Sequence, residues 1–298
     1  MTGLILGASG QVGLQLMQQA RSICSQVVGT GYRQCSGGLV PLDLRDEAGL
    51  ARLIAATQPE VIFLPAAYTN VDQAEADPET CWAVNVTAVV AVARLARQYH
   101  ARLVFFSTDH VFGESDRPQD EDEPTMPQSV YARSKVAAEG MIRALLPHDH
   151  LILRTSWVYG FDPQRKNFAY RVLHTLRLGQ PLRVPLDQFG QPTYNTDLAR
   201  VACELVRHEM CGTYHVVGPS RLSRYCLARM LAQRHGLDPE LLQPVTTAEL
   251  AQRAPRPLSV WLSTAKLSRE LGSHWLRPIS RGIDTMRLAE QQCPRAAA

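Results

Sequence analysis

Residues 3–13 read Gly3-Leu4-Ile5-Leu6-Gly7-Ala8-Ser9-Gly10-Gln11-Val12-Gly13. The apolar run at the start predicts a buried strand, and helical periodicity begins at 12–21. Glycines between a strand and a helix permit a tight turn and close approach of the backbone to a pyrophosphate, whose charge the helix N-terminus favours. An unliganded flexible turn is the alternative, and the strand–loop–helix order argues against it. We therefore predict a dinucleotide site at Gly7, Gly10, Gln11, Val12 and Gly13.

Downstream of this loop, short apolar runs alternate with longer stretches of helical periodicity. The predicted strands are 4–6, 27–29, 61–64, 103–107 and 151–154, and the predicted helices are 12–21, 47–57, 78–99 and 131–146. Continuous apolar strands that alternate with helices are typical of right-handed β-α-β units in a parallel sheet covered on both faces. We expect an α/β fold with a Rossmann-type doubly wound parallel sheet.

The pattern becomes less regular after about residue 157, where Pro and Gly are frequent. It predicts helices at 167–178, 195–207 and 223–235 and strands at 182–185 and 212–217. We expect residues 1–156 to form the dinucleotide-binding domain, to which some later segments return. Residues 157–298 are expected to form mainly a smaller, mixed substrate-binding domain.

The composition argues against several classes of function. The 298 residues carry a net charge of +3, and the basic residues are spread out, so no nucleic-acid partner is predicted. No signal peptide and no apolar run of roughly 18 residues is evident, so we expect no membrane partner. The seven cysteines are widely spaced and the nine histidines lack metal-ligand spacing. These features predict reduced thiols, no metal site and a cytoplasmic location.

The end of the second predicted strand indicates which dinucleotide is preferred. Proteins that bind NAD usually carry an acidic residue there, which bonds the ribose hydroxyls. Here Thr30-Gly31-Tyr32-Arg33 follows, and Arg33 is placed either to bind a 2′-phosphate or to remain a solvated surface arginine. We expect NADP(H) to be preferred, with NAD(H) as the alternative. Asp43 follows the apolar residues 39–42, and either an adenine contact or a helix cap is expected there.

Tyr131 and Lys135 form a Y-x-x-x-K pair on one face of the predicted helix 131–146. An ammonium beside a phenol favours the phenolate, so we expect Lys135 to lower the pKa of Tyr131. Thr108 ends an apolar strand at the sheet edge where ligands bind in doubly wound folds. The glycine loop, the strand-end hydroxyl and the Tyr/Lys pair together predict proton transfer to a carbonyl oxygen during hydride transfer.

Several longer stretches then carry a resemblance to a known family. They are AAYTNVDQAE at 66–75, STDHVF at 107–112, VYARSK at 130–135, LRTSWVY at 153–159, DQFGQPT at 187–193, GTYH at 212–215 and Arg256-Pro257. On these stretches the chain resembles the dTDP-4-dehydrorhamnose reductase family of extended short-chain dehydrogenases/reductases. The resemblance implies NADPH-dependent reduction of the 4-keto group of a dTDP-6-deoxy-hexulose, for dTDP-L-rhamnose synthesis, and a homodimer.

The resemblance also implies roles for individual residues. Tyr131 would donate the proton, and Lys135 would orient the nicotinamide ribose and tune Tyr131. Thr108 would tune the substrate carbonyl and, with Asp109, bind the sugar nucleotide. The further cofactor contacts that it implies are Gly10, Gln11, Val12, Asp43, Leu44, Ala67, Tyr68, Thr69 and Phe106. Trp157 is expected in the substrate pocket, where it would stack on a base or sugar or only fill the domain interface.

Two departures from the family pattern fall in the expected substrate site. The family usually has Tyr at the position of His110, and R-P-x-x-S-x-L-D where this chain has RPLSVWLS at 256–263. We expect His110 and Arg256 to contact the substrate. His110 could titrate beside the substrate, or it could only replace the tyrosine in packing. The departures bear on the sugar rather than on the class of reaction.

Two other functions fit the same sequence. GTGYR at 29–33 and RAPRP at 253–257 look similar to segments of the regulatory beta subunit of methionine adenosyltransferase, an NADP-binding protein without a clear turnover. The other alternative is a different nucleotide-sugar reductase or an epimerase, which would retain tightly held NAD. Trp157 and the DQFGQPT stretch favour the reductase.

Overall fold

The computed structural model describes residues 1–33, 35 and 37–292. The strands are β1 Thr2–Ile5, β2 Gln26–Gly31, β3 Val40–Pro41, β4 Val61–Leu64, β5 Arg102–Thr108, β6 His150–Thr155, β7 Leu182–Pro185, β8 Phe189–Gly190, β9 Gly212–His215, β10 Leu222–Ser223 and β11 Leu242–Val245. The helices are α1 Gln11–Gln19, α2 Glu47–Thr57, α3 Val71–Ala76, α4 Pro78–Trp82, α5 Ala88–Gln98, α6 Val130–Leu145, α7 Phe168–Arg177, α8 Asn195–Arg207, α9 Arg224–Arg234, α10 Thr247–Leu250, α11 Ala265–Leu271 and α12 Ile279–Gln292. The predicted elements are present with ends shifted by a few residues, but the predicted helix 78–99 is α4 and α5 joined by a π-helical turn, Ala83–Thr87.

Seven parallel strands form the central sheet in the order β3-β2-β1-β4-β5-β6-β9. β1 lies between β2 and β4, so the strand order reverses its direction at this point. Ligands of doubly wound sheets bind at such a switch point, beyond the carboxyl ends of the strands. The topology confirms the predicted Rossmann-type fold.

Both faces of the sheet are covered, because successive side chains of each strand point to opposite faces. On one face Ile5 and Phe63 pack with Leu16 of α1 and Leu198 of α8. On the other, side chains of the same strands pack with α2, α5 and α6. Strand β9 and helix α8 come from the second half of the chain, so that half supplies part of the sheet and of its cover.

The rest of the second half has its own apolar cluster. Side chains of α7, α9 and α12 pack together there, with Val184 of β7 and Leu242 of β11 among them. β11 pairs parallel to β7, and β10 pairs antiparallel to β8. This region borders the carboxyl ends of the central strands through the segment that follows β6, so it can supply side chains to a ligand bound there.

Two expectations from composition concern the absence of a membrane partner and the state of the cysteines. By length and composition alone, the helical stretch Pro78–Gln98 could cross a membrane, a feature that the sequence expectation overlooked. Val89, Val92 and Ala93 of this stretch pack under the sheet, as in the core helix of a globular fold. The six described cysteines are free, and Cys293 lies outside the described residues.

Candidate active site

A cavity of about 620 Å³ lies at the carboxyl ends of the central strands. Its wall combines the glycine loop, the ends of β4, β5 and β6, the start of α6 and segments of the second half. Most of the predicted site residues line it, namely Gly7, Gly10, Gln11, Val12, Gly13, Ala67, Thr69, Phe106, Thr108, Asp109, His110, Tyr131, Lys135, Trp157 and Arg256. The structure therefore brings the dinucleotide loop, the Tyr/Lys pair and the expected substrate residues to one space.

Four predicted cofactor residues lie away from this wall. Arg33 is exposed, and its guanidinium carbon lies 5.5 Å from the ring centroid of Tyr32 at the cavity edge. Asp43 borders a second cavity, of about 520 Å³, on which Tyr32 also lies. Leu44 is buried in the core under the sheet. Tyr68 packs beside Tyr131 in a small apolar cluster.

Asp43 does not cap helix α2, so that alternative is wrong. Asp46 caps it, because Asp46 directly precedes the helix and its carboxylate accepts the Gly49 N–H at 2.9 Å. The carboxylate of Asp43 instead pairs with the guanidinium of Arg45 at 2.6 Å, and this hydrogen bond lowers the pKa of Asp43. An adenine contact by Asp43 stays a prediction.

The glycine loop has the backbone that a phosphate cradle needs. Gly7 has a φ of +102°, a region that side chains disfavour, and a Cβ there would lie 2.7 Å from the Cβ of Ala66. A Cβ on Gly13 would collide with the carbonyl of Gly7. Gly10 precedes α1 without a side-chain cap, so the first N–H groups of the helix remain free for an anion. These features fit the pyrophosphate of a dinucleotide.

A loop from the second half closes over this cradle, and the sequence pattern did not reveal it. The buried carboxylate of Asp162 accepts backbone N–H groups of Gln164 and Lys166 at 3.0 and 2.8 Å. The Gln164 amide then donates to the Ser9 carbonyl at 3.0 Å, and Asn167 donates to the Gln11 side chain at 2.9 Å. Only an aspartate before a helix start could have indicated such a loop, and that signal is common to many turns.

Lys135 is almost fully buried, with 1% of its surface exposed. Its ammonium donates to the Phe106 carbonyl at 2.6 Å and lies 3.9 Å from the ring centroid of Phe105. Burial lowers the pKa of Lys135 to about 7, and the nearby Glu139 carboxylate opposes this change. Part of the lysine population is therefore neutral near physiological pH, and a bound partner can shift its protonation.

Tyr131 does not have the lowered pKa that the Tyr/Lys spacing predicts. Burial raises the pKa of the phenol above its ordinary value and outweighs the hydrogen bond with Thr108, which acts in the opposite direction. The expected direction of the pKa was wrong because it rested on the charge of the lysine alone and left out the effect of burial, which removes the phenol from water. The phenol is protonated at neutral pH, as an ordinary tyrosine is, and burial makes it a weaker acid.

Thr108, the last residue of β5, is oriented by its neighbours. Its hydroxyl donates to Asp109 at 3.1 Å, and the other oxygen of Asp109 accepts the Ser156 hydroxyl at 2.6 Å. The Asp109 carboxylate thus ties the ends of β5 and β6 together beside Tyr131. A carbonyl oxygen placed between Thr108 and Tyr131 would meet two hydroxyl groups.

A buried ion pair that was not among the predicted site residues lies one turn beyond Lys135 on α6. Glu139 accepts two guanidinium hydrogen bonds from Arg154, at 3.1 and 2.8 Å, and the Ser107 hydroxyl at 2.6 Å. Burial opposes the charge, but Arg154 holds the pKa of Glu139 below its usual value. This network fixes α6 against β5 and β6, so it sets where Lys135 and Thr108 lie.

The substrate side of the cavity is made of side chains. Trp157 has a φ of +43°, and its ring packs against Gly190 so closely that any Cβ there would collide. The guanidinium carbon of Arg224 lies 3.7 Å from the centroid of the Trp157 ring. Arg224 was not predicted as a site residue, because nothing in the sequence places the start of α9 at this cavity.

His110 and Arg256 also face this side. The His110 ring lies edge-on to Tyr131 with centroids 6.2 Å apart, and its Nδ1 is buried without a hydrogen-bond partner among the described residues. Burial lowers the pKa of His110, so the neutral imidazole is favoured. Arg256 pairs with Asp72 at 2.6 Å, which links the C-terminal segment to α3.

The chain is similar to known proteins over most of its length. The model of the family described as "RmlD substrate binding domain" matches residues 1–287. The spore coat polysaccharide biosynthesis protein SpsK of Bacillus subtilis is 34% identical over 255 residues, which cover 85% of this chain and 86% of that protein. The dTDP-4-dehydrorhamnose reductase of Salmonella typhimurium is 32% identical over 286 residues, covering 89% and 90%. A crystal structure of dTDP-4-dehydrorhamnose reductase from Bacillus anthracis in complex with NADP superimposes with a TM-score of 0.86 at 27% identity, covering 97% and 99%.

Proposed function

The chain belongs to the family of the RmlD substrate binding domain, and from this premise we propose that it is an NADPH-dependent reductase of a nucleotide sugar. Membership of this family favours a dTDP-6-deoxy-hexulose as the substrate. Its 4-keto group would be reduced, as the name dTDP-4-dehydrorhamnose reductase of the relatives suggests. The observation that carries the proposal is the shared cavity: Thr108, Tyr131 and Lys135 line the same space as the glycine loop. An oxidoreductase of the short-chain dehydrogenase/reductase type needs this combination.

The residues of this chain would hold the cofactor in three places. The N–H groups at the start of α1 would bind the pyrophosphate, because no side chain of the described residues caps this helix. The Lys135 ammonium would bond the nicotinamide ribose. Arg33, exposed beside Tyr32, would bind the 2′-phosphate and favour NADP(H) over NAD(H). When bound, the reduced cofactor supplies the hydride.

The proton would come from Tyr131. Its phenol is protonated at neutral pH, and because burial disfavours the phenolate that donation leaves, the Lys135 ammonium on the same helix face would have to stabilise that phenolate. On substrate binding the Thr108 hydroxyl would turn its single proton from Asp109 to the same carbonyl oxygen and stabilise the negative charge that develops there. Donation of the phenol proton from Tyr131 to this oxygen, together with the hydride from the cofactor, then leaves an alcohol on the sugar. Tyr131 and Thr108 would supply the two hydrogen bonds to the carbonyl oxygen.

The wider organisation follows from the same proposal. Residues 1–156 with β9 and α8 would hold the cofactor, and the remainder of 157–298 would supply most of the substrate contacts, with Trp157 and Arg256 among them. A homodimer and a cytoplasmic location agree with the family assignment and are part of the proposal.

A turnover assay with matched substrates tests the proposed function. The protein is mixed with NADPH and a dTDP-4-keto-6-deoxy-hexulose, and the loss of NADPH absorbance is followed alongside the UDP-linked sugar and NADH. We expect oxidation of NADPH with the dTDP sugar, at a higher kcat/KM than with NADH. Absence of oxidation together with binding to a methionine adenosyltransferase would support a regulatory subunit instead. A purified protein with stoichiometric NAD would indicate an epimerase.

A further inference from the structure

Arg224 is a cation that the described structure leaves without a partner. It is the first residue of α9 and lines the cavity, with its guanidinium over the rings of Trp157 and Phe168 at 3.7 and 4.7 Å from their centroids. Among the residues that the structure describes, no carboxylate forms a salt bridge with it and no side chain accepts a hydrogen bond from it. A guanidinium has five N–H donors, so this one presents free donors to the cavity.

The surroundings of Arg224 do not compensate its charge. Asp109 is the carboxylate that acts on it favourably, and Asp109 already accepts the hydroxyls of Thr108 and Ser156. Arg171 and Arg256 are close enough to repel it, and burial with this repulsion lowers the pKa of Arg224 to about 9. Arg224 is half-buried, and a cation that is partly removed from water and has no partner is unfavourable, so a structure that keeps one in a cavity is suited to an anionic ligand.

We propose that Arg224 binds the diphosphate of the nucleoside-diphosphate sugar, with Arg256 as the second cation. This inference rests on the proposed function and names the residue that recognises the linkage between nucleoside and sugar. Two neighbouring guanidiniums suit a diphosphate better than a single carboxylate, because each can bond two oxygens. The contact with the Trp157 ring, 3.7 Å from its centroid, restricts where the guanidinium can lie.

The position agrees with the site of reduction. Trp157 follows Ser156, whose hydroxyl bonds Asp109 next to Thr108. Arg224 contacts Trp157 and lines the same cavity as Thr108 and Tyr131, which would hold the keto oxygen. In a hexose ring C1 and C4 are on opposite sides, so a diphosphate on C1 lies across the ring from a 4-keto group held by Thr108 and Tyr131.

Binding of nucleotide fragments tests the inference without turnover. The affinities of dTDP and thymidine are measured by calorimetry for the wild type, Arg224→Met and Arg224→Lys, and UDP and uridine are compared in the same way. Arg221→Met is the matched control, because Arg221 also lies over aromatic rings, 5.4 Å from Phe189 and 5.2 Å from Trp261, but outside the cavity wall. NADPH affinity of each variant reports whether the fold and the cofactor side are intact.

We expect Arg224→Met to weaken dTDP roughly 10- to 100-fold, the range for a lost charge-assisted contact, and to leave thymidine and NADPH unchanged. Arg224→Lys should recover part of the loss, and Arg221→Met should match the wild type. Equal dTDP affinities in the wild type and Arg224→Met would overturn the inference. If the wild type binds UDP more tightly than dTDP, and Arg224→Met weakens UDP but not uridine, the diphosphate assignment stands. The dTDP sugar of the proposed function then fails.

Discussion

The two ends of the cavity are built by different means. The cofactor end is made mainly of backbone from the first half of the chain: three glycines, a free helix N-terminus and the ends of parallel strands. One loop of the second half, residues 162–167, covers it. The substrate end is made of side chains, which come from α3, the end of β5, the start of α9 and loops up to residue 260. Tyr131, Lys135 and Thr108 lie where the two ends meet. Backbone geometry suits a cofactor that is common to many enzymes, while side chains can change to suit one substrate.

Tyr131→Phe removes the group on which both ends depend, and we expect the largest effect from it. Loss of a general acid lowers kcat by about 10²- to 10⁴-fold, while NADPH affinity should stay near the wild-type value because the ring is retained. Steady-state assays and NADPH titration measure the two quantities. Tyr99→Phe, far from the cavity, is the control. Near-normal kcat in Tyr131→Phe would show that the phenol is not the proton donor.

Gly13→Ala should disturb cofactor binding without disturbing substrate binding. The new Cβ would collide with the Gly7 carbonyl, which cannot move without disturbing the loop. We expect NADPH affinity to fall about 10- to 100-fold and dTDP affinity to remain. Gly140→Ala is the matched control, because a Cβ there meets nothing within 4 Å and helix propensity should raise stability by about 1 kcal/mol. Unchanged NADPH affinity in Gly13→Ala would mean that the loop does not hold the cofactor.

Arg256→Met should disturb substrate binding without disturbing cofactor binding. Its guanidinium lines the cavity and pairs with Asp72. We expect the KM for the nucleotide sugar to rise about tenfold, with kcat and NADPH affinity little changed. Asp72→Asn separates the two roles of Arg256, since it removes the ion pair and keeps the cation. An equal rise in KM in both variants would mean that Arg256 acts only by fastening the C-terminal segment.

Glu139→Gln should have the smallest effect on turnover at pH 7 and should change the pH dependence at the meeting point. It leaves Arg154 buried without its carboxylate partner, so the free energy of unfolding should also fall by about 3 kcal/mol. Lys135 is an ammonium below its pKa of about 7 and a neutral amine above it, so NADPH affinity should fall as the pH rises through 7. The Glu139 carboxylate favours the ammonium, so its neutralisation should move the midpoint to lower pH. Titration of NADPH across pH measures this, with Arg143→Gln as the control on the exposed side of Glu139. If the pH midpoint of NADPH binding is the same in Glu139→Gln and the wild type, Glu139 does not set the pKa of Lys135.

The same contrast explains what the sequence could predict. The glycine loop, the strand-end Thr108 and the Tyr131/Lys135 spacing are local patterns within regular elements, and the structure places all of them on one cavity. Arg224, Gln164 and Asn167 carry no local signal, because their position depends on how distant loops meet the sheet. The pKa of Tyr131 was predicted in the wrong direction for the same reason, since burial is a tertiary property.

Isotope transfer tests the central claim most directly. NADPH carrying deuterium at the reactive position of the nicotinamide is consumed with the dTDP-4-keto-6-deoxy-hexulose, and the product is examined by mass spectrometry and NMR. If the two ends meet at Tyr131 as described, deuterium appears at C4 of the sugar in an amount equal to the NADPH oxidised. A sugar without deuterium, or NADPH that binds and is not consumed, would contradict the assignment of this cavity to ketone reduction.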